Sequence, residues 1–382
     1  MTRVVLVTTS FPESVSGSEA AGSFVSDFAR ALSRRVDVAV VAPGARDGHA
    51  FRDGVDVYRY RAPMQPLSLL RPQNPAHWPA IFRTLKNGRR VLGTALDTRP
   101  ADHILALWAL PSGYWARACV RRTGVPYSVW ALGSDIWALG RVPLIRGVLR
   151  TVLRDAAHRF ADGLTLAENV SRISGMRCHF LPSARRFPVV DNTPARRGPP
   201  YRLAFLGRWH RNKGTDLLLD ALDRLPESAW VRIEAVRIAG GGPLEPQIRV
   251  AGERLRAAGR PLTLEGYMDP GEAAALFAWA DFVCIPSRIE SIPVVFSDAL
   301  QARKPVIATP VGDLPRLLQD GAAGVLAEAP SASAYAAAIE TAVFRSTGPP
   351  GTPLEALRRQ FDVDVIVDDF LEQIGQAPRN GR

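Results

Sequence analysis

Short β-branched runs alternate with amphipathic helical stretches from one end of the chain to the other. In the first half, RVVLVTT (3–9), VDVAVVA (36–42), VDVYRY (55–60), HILAL (103–107), YSVW (127–130), GLTL (163–166) and CHFLP (178–182) read as strands. SFVSDFARALSRR (23–35) and SGYWARACVRR (112–122) read as helices between them. Such alternation predicts parallel sheets with crossover helices. A Pro- and Arg-rich stretch without periodicity, SARRFPVVDNTPARRGPP (183–200), reads as an interdomain connection. The pattern then restarts, with strands at 202–206, 231–239, 262–265, 282–286, 305–309 and 324–327, each followed by a helix.

A chain of 382 residues exceeds one ordinary core, so two domains are expected. The fold class is α/β, two Rossmann-like domains facing across a cleft. The boundaries are residues 1–190, a linker at 191–200 and residues 201–360, with a C-terminal helix at about 361–376 packing back on the first domain. Ligands of such sheets bind beyond the carboxyl ends of the strands, so chemistry is expected in loops that follow strands.

Composition narrows the function classes. The chain is 47% hydrophobic and 22% charged, and no run approaches the roughly 18 apolar residues of a membrane span. MTRVVLVTTSFP reads as a first strand rather than a signal peptide, which predicts a cytoplasmic protein. Cys119, Cys178 and Cys284 are widely separated, with neither a metal-ligand spacing nor a disulfide framework. Of 48 cationic residues only Lys86, Lys213 and Lys304 are lysines; with the abundant alanine, this has the look of a composition bias. The net charge of +11 favours anionic partners such as phosphates or acidic lipid surfaces. No nucleic-acid partner is predicted, because no reading motif or aromatic-interleaved basic stripe is present. PLIRGVLRTVLRDAAHRF (143–160), an apolar face backed by Arg146, Arg150 and Arg154, is a candidate surface for an anionic bilayer, and region 63–90 is another.

Three constellations carry candidate chemistry. AFLGRWHRNKGTDLLLDAL (204–222) is a strand end, a cationic loop and a helix start. Gly207 permits close backbone approach, the helix N-terminus offers N–H groups, and Arg208 and Lys213 supply full charges, a set suited to a diphosphate. It is not a Walker loop. VRIAGGGPLEPQI (236–248) places Gly241 in the next strand–helix turn. SRIESIPVVFSDAL (287–300) sets Glu290 beside a helix start and Asp298 inside the helix. Eight residues advance a helix by about 800°, roughly 80° past two whole turns, so both acids are expected to face one cleft at different depths. Carboxylates flanking a diphosphate make sense as acceptors for hydroxyls on either side of it, the layout of a nucleotide sugar.

These segments resemble the retaining glycosyltransferases of family 4, which have the two-lobed GT-B fold. The likeness runs over nearly the whole chain and is strongest from about 201 to 330, in FLGRWHRNKGTDLLLDAL, in LEGYM (264–268) and in PSRIESIPVVFSDALQARKPVIATPVGDLP. The resemblance implies a hexosyltransferase that takes a sugar from a nucleotide diphosphate donor to a hydroxyl on a sugar or lipid-linked acceptor, in glycan, glycolipid or exopolysaccharide synthesis. It implies diphosphate binding and leaving-group neutralisation by Arg208 and Lys213, and sugar hydroxyls held by Glu290. Ser291 and Ile292 would face the phosphate, Asp298 the ribose, Tyr267 the base, and Gly22 the reacting centre. AGSFVSDFARAL (21–32), LALWALPSGYWARA (105–118) and VPYSVWALGSDIWALG (125–140) resemble the acceptor-lobe segments, with Trp108 and Asp135 on the acceptor side. No cofactor and no metal are expected, because Arg208, Lys213 and the helix N-terminus supply the positive charge. Asp298 stands where the family usually has Glu, and Leu105, Leu107 and Leu132 stand where many members have histidines. A nucleotide-sugar epimerase and a non-catalytic nucleotide-sugar-binding scaffold are the alternatives. The epimerase needs acid–base groups that those leucines do not supply.

Overall fold

The computed structural model describes residues 2–12, 22–63, 74–137, 143–188, 198–319, 321, 323–344 and 352–375. Most of the expected linker, and residues 64–73 of the second candidate membrane surface, lie outside them. The contacts divide the chain into two units, Met1–Arg185 with Val363–Arg382, and Arg186–Asp362.

In the first unit the described strands are β1 (Arg3–Val7), β2 (Asp37–Gly44), β3 (Gly48–Arg52), β4 (Val55–Arg61), β5 (His103–Leu107), β6 (Tyr127–Ala131), β7 (His158–Ala161) and β8 (His179–Phe180). They form one sheet in the order β3-β4-β2-β1-β5-β6-β7-β8. All neighbours are parallel except β3, which pairs antiparallel with β4 through a tight turn at Asp53–Gly54, both at positive φ. β1, β2, β5 and β6 are apolar runs almost wholly buried, as a sheet covered on both faces requires. The strand order reverses between β1 and β5, where the loops after both strands open a switch point.

One strand assignment is corrected. Residues Leu164–Ser174 are a helix, because Leu166, Ala167 and Val170 recur at helical spacing and are buried. The strand lies just before it, in HRFA, where a buried arginine obscures the apolar signal. Arg159 donates to the carbonyls of Leu153, Ala156, Ala157 and Arg177, so its charge is satisfied where a strand would ordinarily bury an aliphatic residue. The amphipathic helix accordingly stops at Asp155; Leu149, Val152 and Leu153 are fully buried in the core and Arg146, Arg150 and Arg154 are exposed behind them. Part of its apolar face is therefore core, while Val148 on the same helix is 43% exposed.

Helix Val363–Gln373 belongs to this unit. Phe370 packs edge-on against Phe28 and Phe160, and Arg35 pairs with Asp364 and Asp368. Asp364 is thereby committed to an ion pair. His103 is buried in the same core, bonded to Ser128 Oγ at 2.8 Å, and burial with the neighbouring His158 lowers its pKa to about 4.

The second unit has β9 (Tyr201–Arg208), β10 (Ile233–Gly241), β11 (Leu262–Glu265), β12 (Phe282–Ile285), β13 (Val306–Ala308) and β14 (Gly324–Leu326). Their order is β11-β10-β9-β12-β13-β14, parallel throughout. That is the Rossmann order, with its switch point between β9 and β12.

Candidate donor site and the loops of the first unit

β9 ends at Arg208 and the loop after it carries Lys213, and the loop after β12 carries Glu290; the sheet order makes these loops neighbours although Lys213 and Glu290 are 77 apart in sequence. Gly214 caps helix Thr215–Leu222 at φ 72°, and a Cβ there would lie 1.9 Å from the carbonyl oxygen of Pro286. Only glycine allows the two loops this close. Arg288 then ties them together: its N–H donates to Asn212 O (2.8 Å), and its guanidinium to Arg211 O (2.9 Å) and to Asp216 (2.8 Å). Across this seam Lys213 Nζ donates to Glu290 Oε1. The pair is partly open, with 35% of the lysine side chain and 16% of the glutamate side chain exposed.

The other sides of the loops are held as tightly. Trp209 is fully buried; its N–H donates to Gly241 O (2.8 Å) and its carbonyl accepts from Leu244 (3.0 Å). Gly241 lies against the ring of Tyr267, which is 65% exposed. On the far side, Asp313 N donates to Ser291 O (3.0 Å) and Thr309 Oγ1 donates to Ser287 O. Among the described residues, the buried hydroxyls of Ser291 and Thr215 have no hydrogen-bond partner. Such groups are costly unless something bonds them.

The structure therefore brings together Lys213 with Glu290, Gly207 with the glycine turn of Gly241, and Tyr267 over that turn. Arg208 is exposed at the end of β9 and makes none of these contacts. Ser291 is half-buried and Ile292 buried. Of the two acids expected to face one cleft at different depths, Glu290 is partly open and Asp298 is buried. Asp298 lies inside helix Val294–Gln301, whereas Glu290 is in the loop before it, and Asp298, Ala299 and Leu300 are all 0% exposed. Sequence reasoning missed Arg288, Asp216, Thr309 and Asp313. Gly312-Asp313, in the loop after β13, was a signal: Gly312 has φ 55°, with a Cβ position 1.9 Å from Ser291 O.

In the first unit, Gly22 caps helix Ser23–Ser33 at φ 99° and packs on Ser10. Trp108, half-buried after β5, adopts φ 68°, a sparsely populated conformation for a non-glycine residue. Asp135 is 2% exposed, which corrects its reading as an acceptor-binding group. Its Oδ2 accepts from Ala109 N (2.6 Å) and its Oδ1 from Leu132 N (3.3 Å), so the carboxylate joins the loops after β5 and β6. Burial raises its pKa to about 6 against the pull of those N–H donors. Leu105 and Leu107 are fully buried within β5.

Comparison with known proteins agrees with this architecture. Residues 200–343 match the family model described as Glycosyl transferases group 1. The chain is 31% identical over 186 residues to a D-inositol 3-phosphate glycosyltransferase of Segniliparus rotundus, covering 47% of this chain and 40% of that protein. It is 28% identical over 287 residues to a putative teichuronic acid biosynthesis glycosyltransferase, TuaC, of Bacillus subtilis, covering 71% and 67%. Among solved structures, a sucrose-phosphate synthase of Thermosynechococcus elongatus superposes with a TM-score of 0.75 at 17% identity over 98% of both chains. Anabaena HepE in complex with UDP-glucose gives 0.65 at 17% identity, covering 98% of this chain and 100% of that one. At that identity the likeness shows the fold, which is GT-B.

Proposed function

We propose, for a chain whose residues 200–343 belong to the group 1 glycosyltransferases, that it is a retaining hexosyltransferase of family 4 type. It moves a sugar from a nucleotide diphosphate donor to a hydroxyl of a sugar or lipid-linked acceptor, in the cytoplasm and without a metal ion. The observation that carries this reading is the Lys213–Glu290 pair at the switch point of the second sheet. Without donor, each charge satisfies the other. With donor, Lys213 turns to the diphosphate together with Arg208, and Glu290 is released to accept hydroxyl protons from the sugar.

As the sugar–phosphate bond breaks, negative charge grows on the departing diphosphate, and two cations held on closely packed loops stabilise it without reorganisation. This is the work a divalent ion does elsewhere. The unpartnered hydroxyl of Ser291, next to Glu290, supports the reading, because a polar ligand would satisfy it. Asp298 takes the ribose contact only if the donor uncovers it. An epimerase is not favoured: the matched relatives are glycosyltransferases, and the loops after β5 and β6 bring up Trp108 and a buried Asp135 rather than an accessible acid–base pair.

The test is thermal stability against a panel of nucleoside diphosphates and their sugars, with and without EDTA. A ligand at about 100 times its Kd adds roughly 2.7 kcal/mol. One nucleotide sugar should stabilise the protein equally in EDTA. Glu290→Ala should keep the increment from the bare nucleotide and lose that from the sugar. No shift with any nucleotide would remove the donor and the proposal with it. Binding without sugar transfer or donor hydrolysis would assign the protein to the scaffold class.

A further inference from the structure

The Lys213–Glu290 pair cannot by itself hold the two donor loops in place, because on the function proposed above it opens when a donor binds. The bonds that remain are those of Arg288. Among the described residues, three hydrogen bonds cross between the loop after β9 and the loop after β12: Lys213 Nζ to Glu290 Oε1, Arg288 N–H to Asn212 O (2.8 Å) and Arg288 Nη1 to Arg211 O (2.9 Å). The same Nη1 donates to Asp216 Oδ1 (2.8 Å), in the first turn of helix Thr215–Leu222. A guanidinium Nη carries two hydrogens, so both acceptors are served at once.

The loop after β9 is folded so as to receive these bonds. Lys213 N–H and Gly214 N–H both donate to His210 O (2.8 and 3.3 Å), and Asn212 N–H donates to His210 Nδ1 (3.2 Å). The turn closes on His210, which leaves the carbonyls of Arg211 and Asn212 for Arg288. Those carbonyls lie one and two residues before Lys213, and Arg288 lies two residues before Glu290, so the link sits beside both charged groups. With 26% of the Arg288 side chain and 30% of the Asp216 side chain exposed, it adds little to overall stability. Its effect is on placement, where an error on the order of 1 Å lowers a rate by as much as about 10²-fold.

We infer that Arg288 is a positioning residue: its bonds to Arg211, Asn212 and Asp216 fix Lys213 against Glu290, and keep the two aligned on the diphosphate and the sugar once their own pair has opened. The second half of this rests on the proposed function; the first half does not.

The experiment compares the full wild-type chain with Arg288→Gln and Arg288→Lys. The chain has three lysines, of which Lys86 is exposed and Lys304 is 2% exposed. Acetylation of Lys213 by acetic anhydride, read by peptide mass spectrometry relative to Lys86, therefore reports on the pair without any donor. Arg288→Gln should raise that ratio about two- to fivefold, the factor for loosening a partly exposed ion pair, towards the ratio found in Glu290→Ala. Arg288→Lys should return it most of the way, and the melting midpoint of each Arg288 variant should move by no more than about 4 °C. With UDP-glucose as donor, or the sugar of whichever nucleoside diphosphate stabilises wild type, kcat for donor hydrolysis should fall about 10- to 100-fold in Arg288→Gln. The Kd of the bare nucleoside diphosphate should change by less than about threefold, and Arg288→Lys should recover part of kcat. The inference is overturned if Arg288→Gln labels Lys213 as wild type does. It is also overturned if nucleoside diphosphate affinity falls as far as kcat, which would make Arg288 a direct ligand of the phosphates, or if the melting curve falls with activity, which would make it a general structural tie. If wild type binds no nucleotide, the proposed function fails, and the labelling ratio alone decides whether Arg288 holds the pair.

Discussion

The two units share the same central strand order, with the reversal beside the first strand of each, but neighbouring loops at the carboxyl ends of their strands are joined by different means. In the second unit the loops after β9 and β12 are tied by charge that stays partly open to solvent: Lys213 to Glu290 and Arg288 to Asp216. In the first unit the loops after β5 and β6 are tied by the buried carboxylate of Asp135, spent on two backbone N–H groups. An open ion pair can be exchanged for a charged ligand at small cost, because exposed pairs contribute only about 0–1 kcal/mol. A buried carboxylate bonded to backbone cannot be borrowed without unmaking the loop. Among the described residues, the same architecture thus leaves a partly open ion pair between loops in one unit and a buried carboxylate between loops in the other.

The largest expected effect tests the charged side. Lys213→Ala should lower kcat for transfer by 10²- to 10³-fold, the range for losing one preorganised electrostatic group, while changing stability by no more than about 1 kcal/mol. A stability loss as large as the activity loss would show Lys213 to be structural and dissolve the contrast. Next is the seam itself. Gly214→Ala combines positive φ with a Cβ 1.9 Å from Pro286 O and should cost about 3 kcal/mol in denaturant unfolding. Gly147→Ala, in an exposed helix of the first unit with nothing within 4 Å, should instead stabilise by about 0.5–1 kcal/mol. Equal outcomes at the two glycines would mean that the loop seam is not tight.

Much of this was legible in the sequence because strands buried on both faces write themselves as apolar runs. β5 and β11 occupy the expected residues, and most other strands differ by one or two. The failures have physical causes. β7 was hidden by Arg159, whose charge is absorbed by four carbonyls that no local pattern announces. β3 is exposed at every position and has no apolar alternation; its signal was the Asp53-Gly54 dipeptide, a hairpin turn in the sequence. Lys213 and Glu290 were each legible as candidates, but their meeting depends on β9 and β12 lying side by side, which only the sheet order supplies. Asp135 was misread because a carboxylate in a Gly-Ser-Asp turn looks the same whether it accepts from a ligand or from its own backbone.

The last test addresses that misreading through pH. Burial raises the pKa of Asp135 from the ordinary carboxylate value to about 6, so between about pH 4 and 6 the folded protein holds a proton that the unfolded chain has released. Its contribution to stability is therefore fully present below about pH 4 and is lost as pH rises through 6. His103, lowered to about 4 by burial and by His158, acts with the opposite sign: the unfolded chain binds the proton first, and stability is lost as pH falls from about 6.5 towards 4. The two slopes overlap and partly cancel, so the wild-type curve alone is uninformative. The difference between wild type and Asp135→Asn removes the histidine from the comparison. That difference in unfolding free energy should fall by about 1–3 kcal/mol from pH 4 to pH 7. A difference independent of pH would mean that Asp135 is solvated and free to meet an acceptor, and the two units would then be alike in carrying an available charge in the loops after their strands.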